Sequence, residues 1–235
     1  MEETPKRPGL LEALTHMLNR ASVKRNLDLT VFGHPLAEEV SWAPQVMGGS
    51  NFKTHSFKEL STSKAAFATS RGMYAFSLVF TIMGGGFAFL PAFVDWEGSA
   101  LFASLMGLLF FGVGLYMLFF FSRNKVFDKD SGYYYKGSLP KGGSLGQRGK
   151  NYVALDQIVA IQILDENVSG NESSYHSYEI NLVLADATRI NVVDHSKTEQ
   201  IMDDADKLAY FLDLPIWNKA DAYVDDTLDA EDWED

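Results

Sequence analysis

Two uninterrupted apolar runs, AFSLVFTIMGGGFAFLPAFV (residues 75–94) and ALFASLMGLLFFGVGLYMLFFF (100–121), constrain this chain more than anything else in it. Each is about 20 residues long, and at roughly 1.5 Å rise per residue a helix of that length crosses a hydrocarbon core of about 30 Å. Neither contains an ionised side chain, and only the polar turn Asp95-Trp96-Glu97-Gly98-Ser99 separates them. A charged fraction of 22% over the whole chain conceals the pattern, because polar flanks dilute it. The sequence therefore predicts a two-helix transmembrane hairpin over residues 73–122. The first run begins too far into the chain, and is too long, for a cleaved signal peptide.

Flanking charge predicts the orientation. Lys53, Lys58, Lys64 and Arg71 precede the first run, and Arg123, Lys125 and Lys129 follow the second, whereas the turn carries only Asp95 and Glu97. The positive-inside bias then expects a multi-pass protein of the cell (inner) membrane with both termini cytoplasmic. On that reading the acceptor sequences at Asn167 and Asn171 face the cytoplasm and stay unglycosylated. The absence of cysteine fits a reducing compartment.

The runs read as packing surfaces. Gly84, Ala88 and Ala92 form a small-residue row in the first, and Ala100, Gly107 and Gly114 recur every seven residues in the second. Small rows let helix backbones approach closely, and van der Waals contact is the main attraction between helices in lipid. The simplest arrangement faces the two rows against each other; use of one row for homo-oligomerisation stays open. Ion and proton pathways usually need a charged group at membrane depth, and there is none here.

Outside the hairpin the chain divides into four parts. Residues 1–26 carry an apolar stripe (Leu10, Leu11, Leu14, Met17, Leu18, Ala21) bracketed by Lys6, Arg7, Arg20, Lys24 and Arg25. That pattern suits an amphipathic helix on an anionic leaflet or docked on protein. Residues 27–72 read as short strands, such as LDLTVF and NFKTHSF, among loops; too small for their own core, they are expected to pair with the region after the hairpin. Residues 123–218 read as strands at Lys125–Lys129 and Tyr133–Lys136, then Tyr152–Leu164, then a polar loop Asp165–Ser174, then a hairpin Tyr178–Leu184/Arg189–Val193. A helix capped by Ser196 and stopping before Pro215 follows. Residues 219–235 hold eight acidic residues and one lysine, and so contribute -7 of the net charge of -11. They read as a disordered acidic tail.

The order hairpin, basic loop, strand, hairpin, terminal helix resembles a pleckstrin-homology-like domain. The residues that carry the resemblance are Val126-Phe127-Asp128, Gly132-Tyr133, Leu155-Asp156-Gln157-Ile158, Tyr178-Glu179-Ile180-Asn181-Leu182 and Ala205-Asp206-Lys207-Leu208-Ala209. With the apolar pair before it, the chain is similar to small bacterial membrane proteins in which such a domain follows a helical hairpin. The fold class expected is a membrane α-helical hairpin plus an α+β cytoplasmic domain, a bent antiparallel sheet capped by a C-terminal helix. The resemblance implies a binding or assembly module rather than an enzyme.

Catalytic-looking matches fail on context. Gly142-Gly143-Ser144-Leu145-Gly146 fits G-x-S-x-G, but Pro140-Lys141 precede it where a buried strand is needed. Asn151 stands where a P-loop needs Ser or Thr. Asp128-x-Asp130-x-Gly132 lacks the remaining oxygen ligands of a calcium loop. The five histidines lack zinc spacing, and His195 beside Asp194 reads as a helix cap or a surface ion pair. No catalytic residue, metal or cofactor is expected, and the acidic balance disfavours nucleic acid. The binding candidates are Lys136, Lys141, Arg148 and Lys150, in a loop without acidic residues close to the membrane exit. Near an anionic leaflet such residues gain about 1 kcal/mol each, which makes lipid headgroups or phosphate their candidate contacts, although a solvated glycine-rich loop accounts for the same residues more simply. The expected function is a non-enzymatic membrane scaffold presenting its domain to a protein partner or anionic lipid, with a small accessory subunit of a transport or signalling complex as the alternative.

Overall fold

The computed structural model describes residues 27–45, 52–93, 99–121, 123–139, 146, 148–149, 151–169 and 174–223. The amphipathic stripe in 1–26, the turn residues 95–98, Lys141, Lys150 and residues 224–235 of the acidic tail lie outside them.

The apolar runs are two helices long and apolar enough to cross a bilayer, α2 (Arg71–Phe89) and α3 (Ala100–Phe121). They are inserted between two strands that pair with each other. β1 (His55–Ser61) and β2 (Lys64–Thr69) form a hairpin, α2 begins two residues after β2, and β3 (Lys125–Asp128) begins four residues after α3. β2 then pairs antiparallel with β3, Lys64 opposite Asp128 and Phe67 opposite Lys125. The segment before the helices and the segment after them thus build one sheet. Ser70 makes the exit from β2 abrupt: its Oγ accepts the Met73 N–H (3.1 Å) and donates to the Lys53 carbonyl (2.8 Å), while its own N–H bonds the Thr54 carbonyl. This is an N-cap tied to the neighbouring chain segment.

The sheet continues through β4 (Tyr133–Lys136), β6 (Tyr152–Ala154) and the two-residue β5 (Arg148–Gly149), in the order β1-β2-β3-β4-β6-β5. The turn at Asp130-Ser131-Gly132 joins β3 to β4, with Asp128 Oδ1 accepting the N–H groups of Asp130 and Ser131 and Gly132 at φ 75°. A 3-10 turn, Leu155–Gln157, splits the stretch read as one strand from Tyr152 to Leu164 and sends the chain into a second sheet. That sheet has the order β10-β7-β8-β9, with β7 at Ile158–Ser169, β8 at Ser174–Leu184, β9 at Arg189–His195 and β10 at Ile216–Asn218. The polar stretch from Asp165 is strand as far as Ser169, because it continues the β7–β8 ladder to Ser169 opposite Ser174. Backbone pairing needs no apolar side chain, so polarity alone misplaced that loop.

One core lies between the sheets. Phe67, Phe127, Tyr134 and Val153 meet Ile161, Ile163, Ile180, Leu182 and Val193, and helix α4 (Thr198–Leu212) adds Ile201, Ala205, Leu208 and Phe211. The N-cap position of α4 is Lys197, with no side-chain cap, rather than Ser196. Asp213 ends the helix in the left-handed region, φ 58°, its N–H on the Ala209 carbonyl.

The outer face of the second sheet is covered by residues 27–45. LDLTVF is a 3-10 turn there rather than a strand: Asp28 Oδ1 accepts the Thr30 N–H at 3.0 Å, and Gly33 ends the turn at φ 61°. α1 (Leu36–Glu39) follows, and Ala37 and Val40 pack with Ala160, Val183 and Trp217 in a second apolar cluster, where Trp42 stacks on Phe32.

Because Thr69 and Arg123 lie at the open ends of paired strands, replacing residues 70–122 with a short Asn-Gly turn should yield a water-soluble domain with cooperative thermal unfolding. Circular dichroism and melting check this; a chain that fails to unfold cooperatively contradicts it.

Candidate functional site

Two places gather the residues singled out in the sequence. The first is the seam between α2 and α3. Met73, Ser77, Gly84 and Ala88 are buried on α2, and Gly107 is buried on α3. A Cβ on Gly84 would lie 2.7 Å from the Phe110 carbonyl carbon, one on Gly107 would lie 2.5 Å from the Phe87 carbonyl carbon and closer still to the Ala88 nitrogen, and one on Gly114 would lie 2.5 Å from the Thr81 nitrogen. Gly84, Ala88, Gly107 and Gly114 therefore meet across one close backbone contact. Ala100 is half-buried and Ala92 is exposed, in a 3-10 turn beyond the end of α2, so Ala92 leaves the seam. The small-residue reading missed Ser77 and Thr81. Ser77 Oγ donates to the Met73 carbonyl (2.8 Å) and Thr81 Oγ1 to the Ser77 carbonyl (2.9 Å), so both hydroxyls are satisfied within α2 while their small side chains admit α3. Their spacing of four among apolar residues was the available signal.

The second place is a depression of about 250 Å³ lined by Tyr134, Lys136, Arg148, Gly149, Asn151, Tyr152, Ile190 and Asn191. Of the four basic candidates it brings Lys136 and Arg148 together. Among the described residues no carboxylate lines it. It sits at the end of the first sheet from which the helices leave. Lys136 pairs with Lys125, four residues after α3, and the Gly137 N–H bonds the carbonyl of Asn124 at 2.8 Å. Four extended residues span at most about 14 Å, so Lys125, the strand partner of Lys136, lies within that reach of the end of α3. Gly149 shapes its floor: a Cβ there would lie 2.5 Å from Cζ of Tyr152 and closer to the ring edge, so only glycine lets that ring lie over the β5 backbone.

The charges are unequal. Arg148 donates to Thr188 Oγ1 (2.6 Å) and lies 3.5 Å from Asp186, whose carboxyl is held below its ordinary range chiefly by the hydrogen bonds from Thr188. Lys136 is exposed at the rim. Behind it Lys125 donates to the Val192 carbonyl of β9, joining the two sheets. Burial, and then the Lys136 charge, push the Lys125 ammonium down to about 8, against a smaller opposing effect of Asp194. Burial in turn pushes the Asp194 carboxyl up, although Asn191 Nδ2 bonds it at 2.6 Å. The sequence marked Lys125 only as a flanking charge and did not mark the asparagines at all, since isolated polar residues on strands look like solvent-facing positions.

His195 corrects the surface reading given to it. It is fully buried where β9 turns into α4; Nδ1 accepts the Lys197 N–H at 3.2 Å, and among the described residues Nε2 has no hydrogen-bond partner. Burial, and then the charge of Lys53, push its pKa down to about 4. Lys53 itself pairs with the buried Asp204 of α4 at 2.9 Å. Among the described residues no group of three or more His, Asp or Glu is arranged to hold a metal ion.

Gly107→Leu should force α2 and α3 apart, lowering the detergent-solubilised protein's melting temperature by the equivalent of about 1–3 kcal/mol; an unchanged melt contradicts the close seam. Neutral His195 binds its proton more weakly in the folded chain than in the unfolded one. Its contribution is therefore complete above about pH 6.5 and falls as pH drops toward about 4, by on the order of 3 kcal/mol in all. His195→Gln should flatten that part of the stability–pH curve relative to the parent, measured by denaturant unfolding; parallel curves contradict the burial. No protein-family model matches this chain, and no curated protein matches it closely enough to count as a relative.

Proposed function

We propose that the chain is a non-enzymatic scaffold of the inner membrane, in which α2 and α3 span the bilayer and hold a pleckstrin-homology-like domain on the cytoplasmic surface. The observation that carries this reading is the insertion of α2 and α3 between the paired strands β2 and β3. Such an attachment leaves one residue between β2 and α2 and three between α3 and β3, which restricts how far the domain can turn relative to the leaflet. The outward surface of the helices supports the bilayer placement. Ile82 is 69% exposed, Leu101 72% and Phe119 75%, so large apolar side chains of both helices face outward rather than into a protein core.

On this reading the depression with Lys136 and Arg148 faces anionic headgroups, and Arg71 and Arg123 at the helix ends add to the same field. A cytoplasmic face is favoured by the basic flanks and by the acidic turn between the helices.

The cysteine-free background permits a direct test. In intact cells an impermeant thiol reagent should label Ser99→Cys and leave Glu38→Cys unlabelled until lysis, with the protein resisting carbonate extraction from membranes; labelling of both or of neither, or extraction, contradicts the reading. For the depression, anionic nanodiscs should raise the melting temperature of the full chain over neutral ones. Lys136→Glu with Arg148→Glu should abolish that difference, on the scale of about 1 kcal/mol per charge.

A further inference from the structure

β1 is the edge strand of the six-stranded sheet, and its free edge looks along α4. The Phe57 N–H points away from β2, to Asp204 Oδ1 at 3.3 Å, so α4 covers the edge at that point. Antiparallel pairing alternates the direction of successive backbone groups, which turns the N–H and C=O of Glu59 outward as well, just before the ladder becomes irregular between Glu59 and Ser61. There the edge opens into a groove of about 460 Å³ lined by Phe57, Glu59, Asp206, Lys207 and Tyr210. Its charge is acidic where it is free. Lys207 is tied to Asp203 at 2.5 Å, and Lys129 lies over the Phe211 ring at 4.5 Å. Lys58 projects to the opposite face of β1, by the alternation of a strand. That leaves Glu59 and Asp206 facing the groove beside Tyr210, whose ring is 90% exposed.

We propose that this groove is a docking site for an extended, basic segment of a protein partner, which adds as a strand to the edge of β1. Backbone groups of Glu59 supply the pairing, the carboxylates of Glu59 and Asp206 receive Lys or Arg side chains at alternate positions, and Tyr210 offers its face to one of those cations. The groove also suits a partner in solution rather than the leaflet. Glu59 pairs with Ala65, five residues before the Ser70 cap, and so stands about 16 Å of strand away from the start of α2. The basic depression occupies the other end of the same sheet. This rests on the reading of the domain as a binding module and names the chemistry of its protein partner.

The test uses the full chain in nanodiscs of neutral lipid and, as probe, a short fluorescent peptide alternating Lys with Thr and Val, followed by anisotropy. The peptide should bind in a salt-sensitive way. Methylation of its alternate backbone nitrogens, which removes the pairing N–H groups, should weaken it roughly tenfold, as should replacing its Lys by Glu. Glu59→Lys with Asp206→Lys should produce a similar loss while the circular-dichroism melt stays that of the parent, and Tyr210→Ser, at a fully solvent-facing position, should weaken binding without touching the core. A chain ending at Tyr223, without the acidic tail, should bind as the parent does. The proposal is overturned by no binding, by equal binding of the methylated peptide, or by binding that the groove variants leave unchanged or the truncation removes. It is likewise overturned if the peptide binds only after residues 1–26 are deleted, which would assign the groove to the chain's own basic N-terminal segment, or if the parent is a dimer that the double variant dissolves. None of these outcomes bears on the thiol-labelling pattern, so failure of the groove and failure of the membrane reading are separable.

Discussion

The antiparallel pairing of β2 with β3 is the constraint on which the rest of the structure depends. Two strands separated by more than fifty residues of chain close a sheet at the point where both helices leave it. Closing such a loop costs entropy that grows only slowly with length, so a long insertion at a strand turn is tolerated once the strands have side chains to bury together. Phe67 and Phe127 supply that burial from facing strands, their rings in an edge contact with centroids 6.4 Å apart. The two helices, for their part, close their own end through the Gly84–Gly107–Gly114 seam. Sheet and helix pair therefore share one origin, and neither can shift its register without the other.

That shared origin gives the domain a polarity along its strands. At the helix end lie Arg71, Arg123, Lys125 and Lys136, with Lys125 stitching β3 to β9 through the Val192 carbonyl. Toward the far end lie Glu59 and Asp206, in the groove between β1 and α4. The segregation rests on these residues: Lys64 and Lys129 also lie toward the far end, but Lys64 is paired with Asp128 at 2.8 Å and Lys129 lies over the Phe211 ring. The pair of half-buried Lys53 with buried Asp204 adds a link between α4 and the cap of α2, because the Lys53 carbonyl accepts the Ser70 hydroxyl.

Features that depend on local chemistry were legible in the sequence. The apolar runs became α2 and α3, the Asp130-Ser131-Gly132 turn joined β3 to β4, and the stripe Ile201, Ala205, Leu208 is the core face of α4. Features that depend on distant partners were not. LDLTVF has the residues of a strand, yet Asp28 captures the Thr30 amide, and among the described residues the segment pairs only through the single bridge of Leu27 to Tyr223. The stretch at Asp165–Ser169 has the residues of a loop, yet β8 supplies a ladder for it. Within the site, Lys136 and Arg148 could be picked out by the lack of nearby acidic residues. Tyr152, Asn151 and Asn191 could not, because only the sheet order brings β4, β6 and β9 around one depression.

The central claim is that the strands before and after the helices form one sheet, so that the domain is fixed to the helix pair rather than tethered to it. Hydrogen–deuterium exchange of the full chain in lipid nanodiscs tests it most directly. Ala65, Phe67, Val126 and Phe127 should exchange together and among the slowest amides of the domain, since β2 and β3 lie inside the sheet and open only with it. Fast exchange at Ala65 and Phe67, with β3 and β4 still protected, would mean that β2 belongs to a loosely attached segment, and the account would be wrong.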